Sequence, residues 1–159
     1  MSREDLISTI ETNLLAVTRE GATTAYFEAG KVKHDRPLAL SPFDRQCIFY
    51  SDGEGDLPDA YRNGTLSRSF ISERFVIKVF WQPAPLSGTR EARTLEEWDV
   101  RRAITAALRA DSQLGGNCSD LKIRSVTQEP ERFGANDAEW DVLTIAFDVW
   151  DLTGEAITA

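Results

Sequence analysis

The run Trp140 to Leu152, WDVLTIAFDVWDL, constrains the fold more than any other part of the chain. Leu143, Ile145, Phe147 and Val149 recur with the period of a strand and define one apolar face. Trp140, Val142, Ala146 and Trp150 fall on the other face, interrupted by Thr144 and Asp148. The run is also long, since strands of about 5 to 6 residues are usual. A strand apolar on both faces has to be covered on both, by helices or by another subunit. Ser69 to Trp81 has the same character: Phe75, Ile77, Val79 and Trp81 alternate with Val76, Lys78 and Phe80. It reads as a central strand or as one lying at an interface.

Two segments carry helical periodicity. Leu6, Ile7, Ile10, Leu14 and Val17 make one face of a helix over about Arg3 to Val17. Ser2 caps it, and Asp5 stands at the capping-box position. The second helix opens at Thr94, which has Glu97 three residues on, or earlier at Thr89. It runs to about Ala110 and stops before Gly115-Gly116. Val100, Ala103, Ile104, Ala107 and Leu108 form its core face, with Leu95, Trp98, Arg102 and Arg109 on the other side.

The remaining segments are shorter. Thr23 to Phe27 has strand propensity, and His34-Asp35-Arg36-Pro37 then breaks regular structure. Phe43 to Tyr50 predicts a strand with Phe43, Arg45, Cys47 and Phe49 on one face and Ile48 and Tyr50 on the other. Ser51 to Gly64 is a loop rich in turn formers, and Gln82 to Gly88, with two prolines, is a connector. Cys118 to Thr127 predicts a strand joined to the closing one by the polar linker Gln128 to Asp137. The expected fold is a single α+β domain over residues 1–159, a mainly antiparallel sheet with two principal helices packed on one face.

Chemistry is sparse. His34 is the only histidine, has no GxSxG nucleophile motif to serve, and reads as an exposed loop residue. One His and two separated cysteines, Cys47 and Cys118, do not make a structural zinc set, and the cysteines read as free buried thiols. Asp52, Glu54, Asp56 and Asp59 resemble the start of an EF-hand loop, but Leu57 stands at its sixth position and Asn63 at its twelfth, so a solvated loop is expected. The pairs Glu96-Glu97, Asp137/Glu139 and Asp148/Asp151 read as solvated faces. No catalytic residue, metal or cofactor is expected. The net charge of -8 argues against a general nucleic-acid binder, which needs a basic surface, but is compatible with a channel that nucleic acid passes without sticking. No apolar run approaches the roughly 18 to 20 residues of a membrane span, and the polar start carries no signal-peptide core, so a soluble protein of a reducing compartment is expected.

The tryptophans carry more signal, because Trp is enriched at interface hot spots. Trp98, on the polar side of its helix and near Arg102 for stacking, is the leading interface residue. Leu95, Arg102, Arg109, Trp140 and Trp150 complete the candidate subunit interface.

The helix with EEWDVRRAITAALRADSQLGG, then a strand, a hairpin and the closing strand WDVLTIAFDVWD resembles the tail terminator proteins of long-tailed bacteriophages, the group of the lambda minor tail protein U. The amphipathic N-terminal helix ahead of a strand-rich middle fits the same order. The specific part of the likeness covers about Leu95 to Leu152. The resemblance implies a homo-oligomer, a hexameric ring that caps the finished tail tube, ends its polymerisation and offers its other face to the head-completion or connector protein. It implies a virion protein assembled in the host cytoplasm, without enzymatic activity or membrane contact, through whose ring DNA passes without specific binding. The loop holding Asp52, Glu54, Asp56 and Asp59 and the linker holding Glu129 and Glu131 would be its contact loops. Other neck or tail-completion proteins share these features. A different class, a dimeric α+β ligand-binding protein or enzyme with a pocket lined by Tyr26, Phe27, Phe49 and Trp81, is separated from a ring by oligomer size.

Overall fold

The computed structural model describes residues 2–18, 23–35, 46–55, 71–81, 90–133 and 138–151. Helix α1 spans Arg3–Leu15 and α2 spans Arg90–Ala110. The strands are β1 (Val32–His34), β2 (Gln46–Ser51), β3 (Ile71–Trp81), β4 (Asp120–Phe133) and β5 (Ala138–Asp151). They form one sheet in the order β1-β2-β3-β5-β4. Only the β1–β2 pair is parallel. This is the α+β arrangement of two helices and a mostly antiparallel sheet that the sequence pattern predicts.

The two strands richest in apolar residues occupy the middle of the sheet. β3 and β5 pair along their length, from Ile71 opposite Asp151 to Trp81 opposite Asp141. That register puts Phe75 opposite Phe147, whose rings stack with centroids 5.7 Å apart, and sets Ile77 against Ile145 and Val79 against Leu143. Cross-strand apolar pairs of this kind fix register, because a slip of one residue would turn the whole set to the other face. Both helices close over this face: Leu6, Ile10 and Leu14 from α1 join Val100, Ile104 and Leu108 from α2 in the same core. Phe49 and Cys47 extend it through β2.

The ends of the helices follow local chemistry. Ser2 is the N-cap of α1, and its hydroxyl accepts from the Asp5 amide at 3.4 Å. α1 ends at Leu15, two residues short of the expected end, and Val17 still reaches the core. α2 begins directly after Thr89 and not at Thr94. Beyond α2 the backbone turns through positive φ at Leu114, Gly115 and Gly116, where glycine costs least. Asp111 accepts from the Gly115 amide at 2.9 Å and from the Asn13 amide group at 2.8 Å, which ties this turn to α1.

Three expectations are corrected. Thr23 to Phe27 is not a strand: Ala25 makes one isolated bridge with Thr18, and Tyr26 and Phe27 turn into the core. His34 is not in a loop but closes β1, half-buried, with its ring 5.0 Å from that of Phe49. The linker Gln128 to Asp137 is strand as far as Phe133, so Glu129 and Glu131 lie on β4 and not in a contact loop. Pro130 is tolerated there because β4 is an edge strand and needs no second ladder. Phe43, Arg45, Asp56, Asp59 and the connector Gln82 to Gly88 lie outside the described residues.

Candidate functional site

The outward side of α2 is the surface the tryptophan argument points to. Among the described residues Trp98 is the single large hydrophobic side chain left exposed, at 63%. Arg102 and Arg109 are exposed on the same helix. Their spacings from Trp98, 4 and 11 residues, bring all three onto one stripe opposite Val100, Ile104 and Leu108. The Leu95 side chain lies outside the described residues. Beside this stripe a groove of about 210 Å³ runs between α2 and the chain leaving α1. Thr18, Ala103 and Ala106 line it, with Asp99 and Arg102.

Trp140 and Trp150 behave differently. They are only 4% and 5% exposed, covered within the subunit itself. Trp140 packs with Phe80 and Val142, and with part of Ile48, in a second small cluster on the sheet face away from the helices. Their burial needs no neighbouring subunit, so the sheet face does not offer the interface expected of them. Glu131 stands opposite Trp140 and Glu129 opposite Val142, where they extend this edge of the sheet with charge.

The same sheet face holds a feature the sequence reading missed. Asp148, expected on a solvated face, is instead 0% exposed. Arg74, directly opposite on β3, donates from Nε to Oδ1 at 2.8 Å and from Nη2 to Oδ2 at 3.1 Å. Arg124 on β4 donates from Nε to Oδ2 at 2.6 Å. A register shift between Ile123 and Ser125 gives β4 one extra residue, and that residue is Arg124. Bulges re-aim side chains in this way. One carboxylate thus joins the three strands β3, β5 and β4.

The start of the acidic loop is fastened over this clamp. The Asp52 amide donates to the Arg74 carbonyl at 2.7 Å, and the Arg74 amide to the Gly53 carbonyl at 2.9 Å. Ser72 donates its hydroxyl to the Gly55 carbonyl at 2.7 Å. Gly55 lies so close that a Cβ there would stand 2.9 Å from Asp148 Cγ. Asp52 and Glu54 remain exposed. They are therefore charges on a fixed mount, at least as far as Gly55.

With charge-assisted bonds from two arginines on both its oxygens, Asp148 is arranged to hold strands and not to accept a substrate proton. Asp151, the other member of that pair, is also buried and accepts from the Ser119 hydroxyl at 3.3 Å. The members of the pairs Glu96-Glu97 and Asp137/Glu139 have side chains outside the described residues. Cys47 and Cys118 are free and buried. Burial pushes the Cys47 thiol far up, and Cys118 is pushed up to about 12 by burial, then by Asp120, Asp111 and Asp151. Raised thiols of this kind are poor nucleophiles and metal ligands. Among the described residues no three His, Cys, Asp or Glu side chains gather as a metal site, and no helix is long and apolar enough to cross a membrane. Of the four residues expected to line a pocket, Tyr26, Phe27 and Phe49 are packed in the core instead, and the Trp81 side chain lies outside the described residues. No family model matches the chain, and no curated protein matches it.

Proposed function

We propose that the protein is a structural subunit that works by self-association, a tail terminator-like protein whose ring caps a phage tail tube, ends its polymerisation and presents a surface for head joining. The observation that carries this reading is Trp98, 63% exposed on a helix stripe that continues into Arg102 and Arg109. A large aromatic is costly to leave in water and is the commonest kind of interface anchor. The resemblance of the segment from Leu95 to Leu152 to tail terminators supplies the particular assembly. The packed aromatic core speaks against the small-ligand reading, since Tyr26, Phe27 and Phe49 lie buried in the core and do not line an open pocket.

In this role the protein acts through its surfaces and without catalysis. Its partners are other copies of itself, the tail tube protein and the head-completion or connector protein. DNA would pass a ring of acidic subunits without specific binding, because an acidic surface offers few cations to displace the counterions condensed on the phosphates.

Solution mass by light scattering, over a range of concentrations and salt, tests the reading. A hexamer, or a monomer that assembles into rings on added tail tubes, supports it. A stable dimer indifferent to tail tubes overturns it.

A further inference from the structure

We infer that Trp98 is the anchor of a contact between two copies of this chain, and that it seats in the neighbour's groove between α2 and the chain leaving α1, against Thr18, Ala103 and Ala106. The inference rests on the self-association proposed above and names the residues that would carry it.

Three observations converge on this occupant. The first is size. The groove encloses about 210 Å³, below the roughly 300 to 1,000 Å³ of pockets that take small-molecule ligands. It suits one large side chain. Its alanines leave the helix backbone approachable, so that a flat indole can lie against it. The second is supply. Trp98 is the one large exposed hydrophobic among the described residues, and every copy of the chain carries both this knob and this groove.

The third is charge. Asp99 and Arg102 border the groove, and the same two residues flank Trp98. Two copies therefore meet with both signs on each side. A polyanion would meet Asp99 with repulsion, and a polycation would meet Arg102 in the same way. A second copy presents both signs.

The test uses the full chain and two variants that each remove one half of the contact. Trp98→Ala deletes the knob and keeps the groove. Ala106→Arg fills the groove from an exposed helix position and keeps the knob. Sedimentation should show each variant alone associating about thirtyfold more weakly than wild type, the scale of a hot-spot truncation. An equimolar mixture of the two should recover a one-to-one pair, since each supplies the half the other lacks. Thermal melts of both variants should match wild type, which separates lost contact from lost fold. Wild-type association with both variants unaffected, or a mixture no more associated than its components, overturns this contact and leaves the self-association reading standing. A wild-type chain that is monomeric at every concentration, with and without tail tubes, overturns both.

Discussion

Replacing Asp148 by Asn tests the clamp that joins β3, β5 and β4. Asn keeps the shape and one acceptor oxygen but removes the charge shared by Arg74 and Arg124. Asp148 is 0% exposed, so water cannot replace the lost oxygen without opening the loop through Gly55. Hydrogen bonds to charged groups contribute about 1.5 to 3 kcal/mol each, and breaking a buried pair costs about 3 to 5 kcal/mol. The two guanidinium side chains are 30% and 24% exposed and recover part of their hydration. The lower end of that range therefore applies, about 3 kcal/mol. With a urea dependence of about 2 kcal/mol per molar, the unfolding midpoint should fall by about 1.5 M at unchanged slope. The triple variant Arg74→Met, Asp148→Leu, Arg124→Met should recover most of the loss, because replacing a whole buried ionic group with apolar residues is often neutral or better. A midpoint for Asp148→Asn within about 0.3 M of wild type would refute the reasoning.

Two further outcomes follow from the same geometry. Gly55→Ala should destabilise by about 1 to 3 kcal/mol in urea titration, since the added Cβ would meet the Asp148 carboxylate at 2.9 Å and force the loop off the sheet. In an Asp148→Ala background the same change should cost far less, and simple additivity of the two would count against direct contact. Cys118, whose pKa rises from 9.0 to about 12 on folding, favours the native state fully below pH 9 and loses that contribution as pH climbs from 9 to 12. Unfolding midpoints between those pH values should therefore fall more steeply for wild type than for Cys118→Ala, and equal slopes would contradict the burial argument.

What could be read in the sequence was what a single strand or helix says about itself. The alternation of Leu143, Ile145, Phe147 and Val149, and of Phe75, Ile77 and Val79, marked the buried face directly, and all seven are fully buried. The spacing of Val100, Ile104 and Leu108 did the same for α2. What escaped was whatever depends on a partner strand. β1 is three residues long and exists because β2 offers it a parallel edge, visible in the Cys47 amide donating to the Lys31 carbonyl at 2.8 Å. The polar stretch after Thr127 is strand because β5 runs on beside it, pairing through Phe133 and Ala138. Composition marks such residues as loop, but an edge strand with one solvated side accepts them. Asp148 failed in the same way: its role needs Arg74, 74 residues away, in register, and a bulge at Arg124. A charged residue in the middle of an otherwise apolar strand was the available signal, since an unpaired carboxylate there would be untenable.

The two faces of the sheet bear on where an assembly surface can lie. One face is closed by α1 and α2. The other is not an open apolar plate: Trp140, Val142 and Phe80 are buried, and the Asp148 clamp sits under the loop through Gly55. A ring that joined subunits by stacking onto this face would have to displace that loop and expose a carboxylate bonded to two arginines, a cost that weighs on every subunit. A ring joined through the outer side of α2 disturbs nothing in the core, because Trp98 and Arg102 point away from Val100, Ile104 and Leu108. The apolar second face of β5 had argued from sequence for a neighbour on the sheet. With that face covered inside the subunit, the argument for a neighbour passes to the helix, and Trp98 is the residue on which it turns.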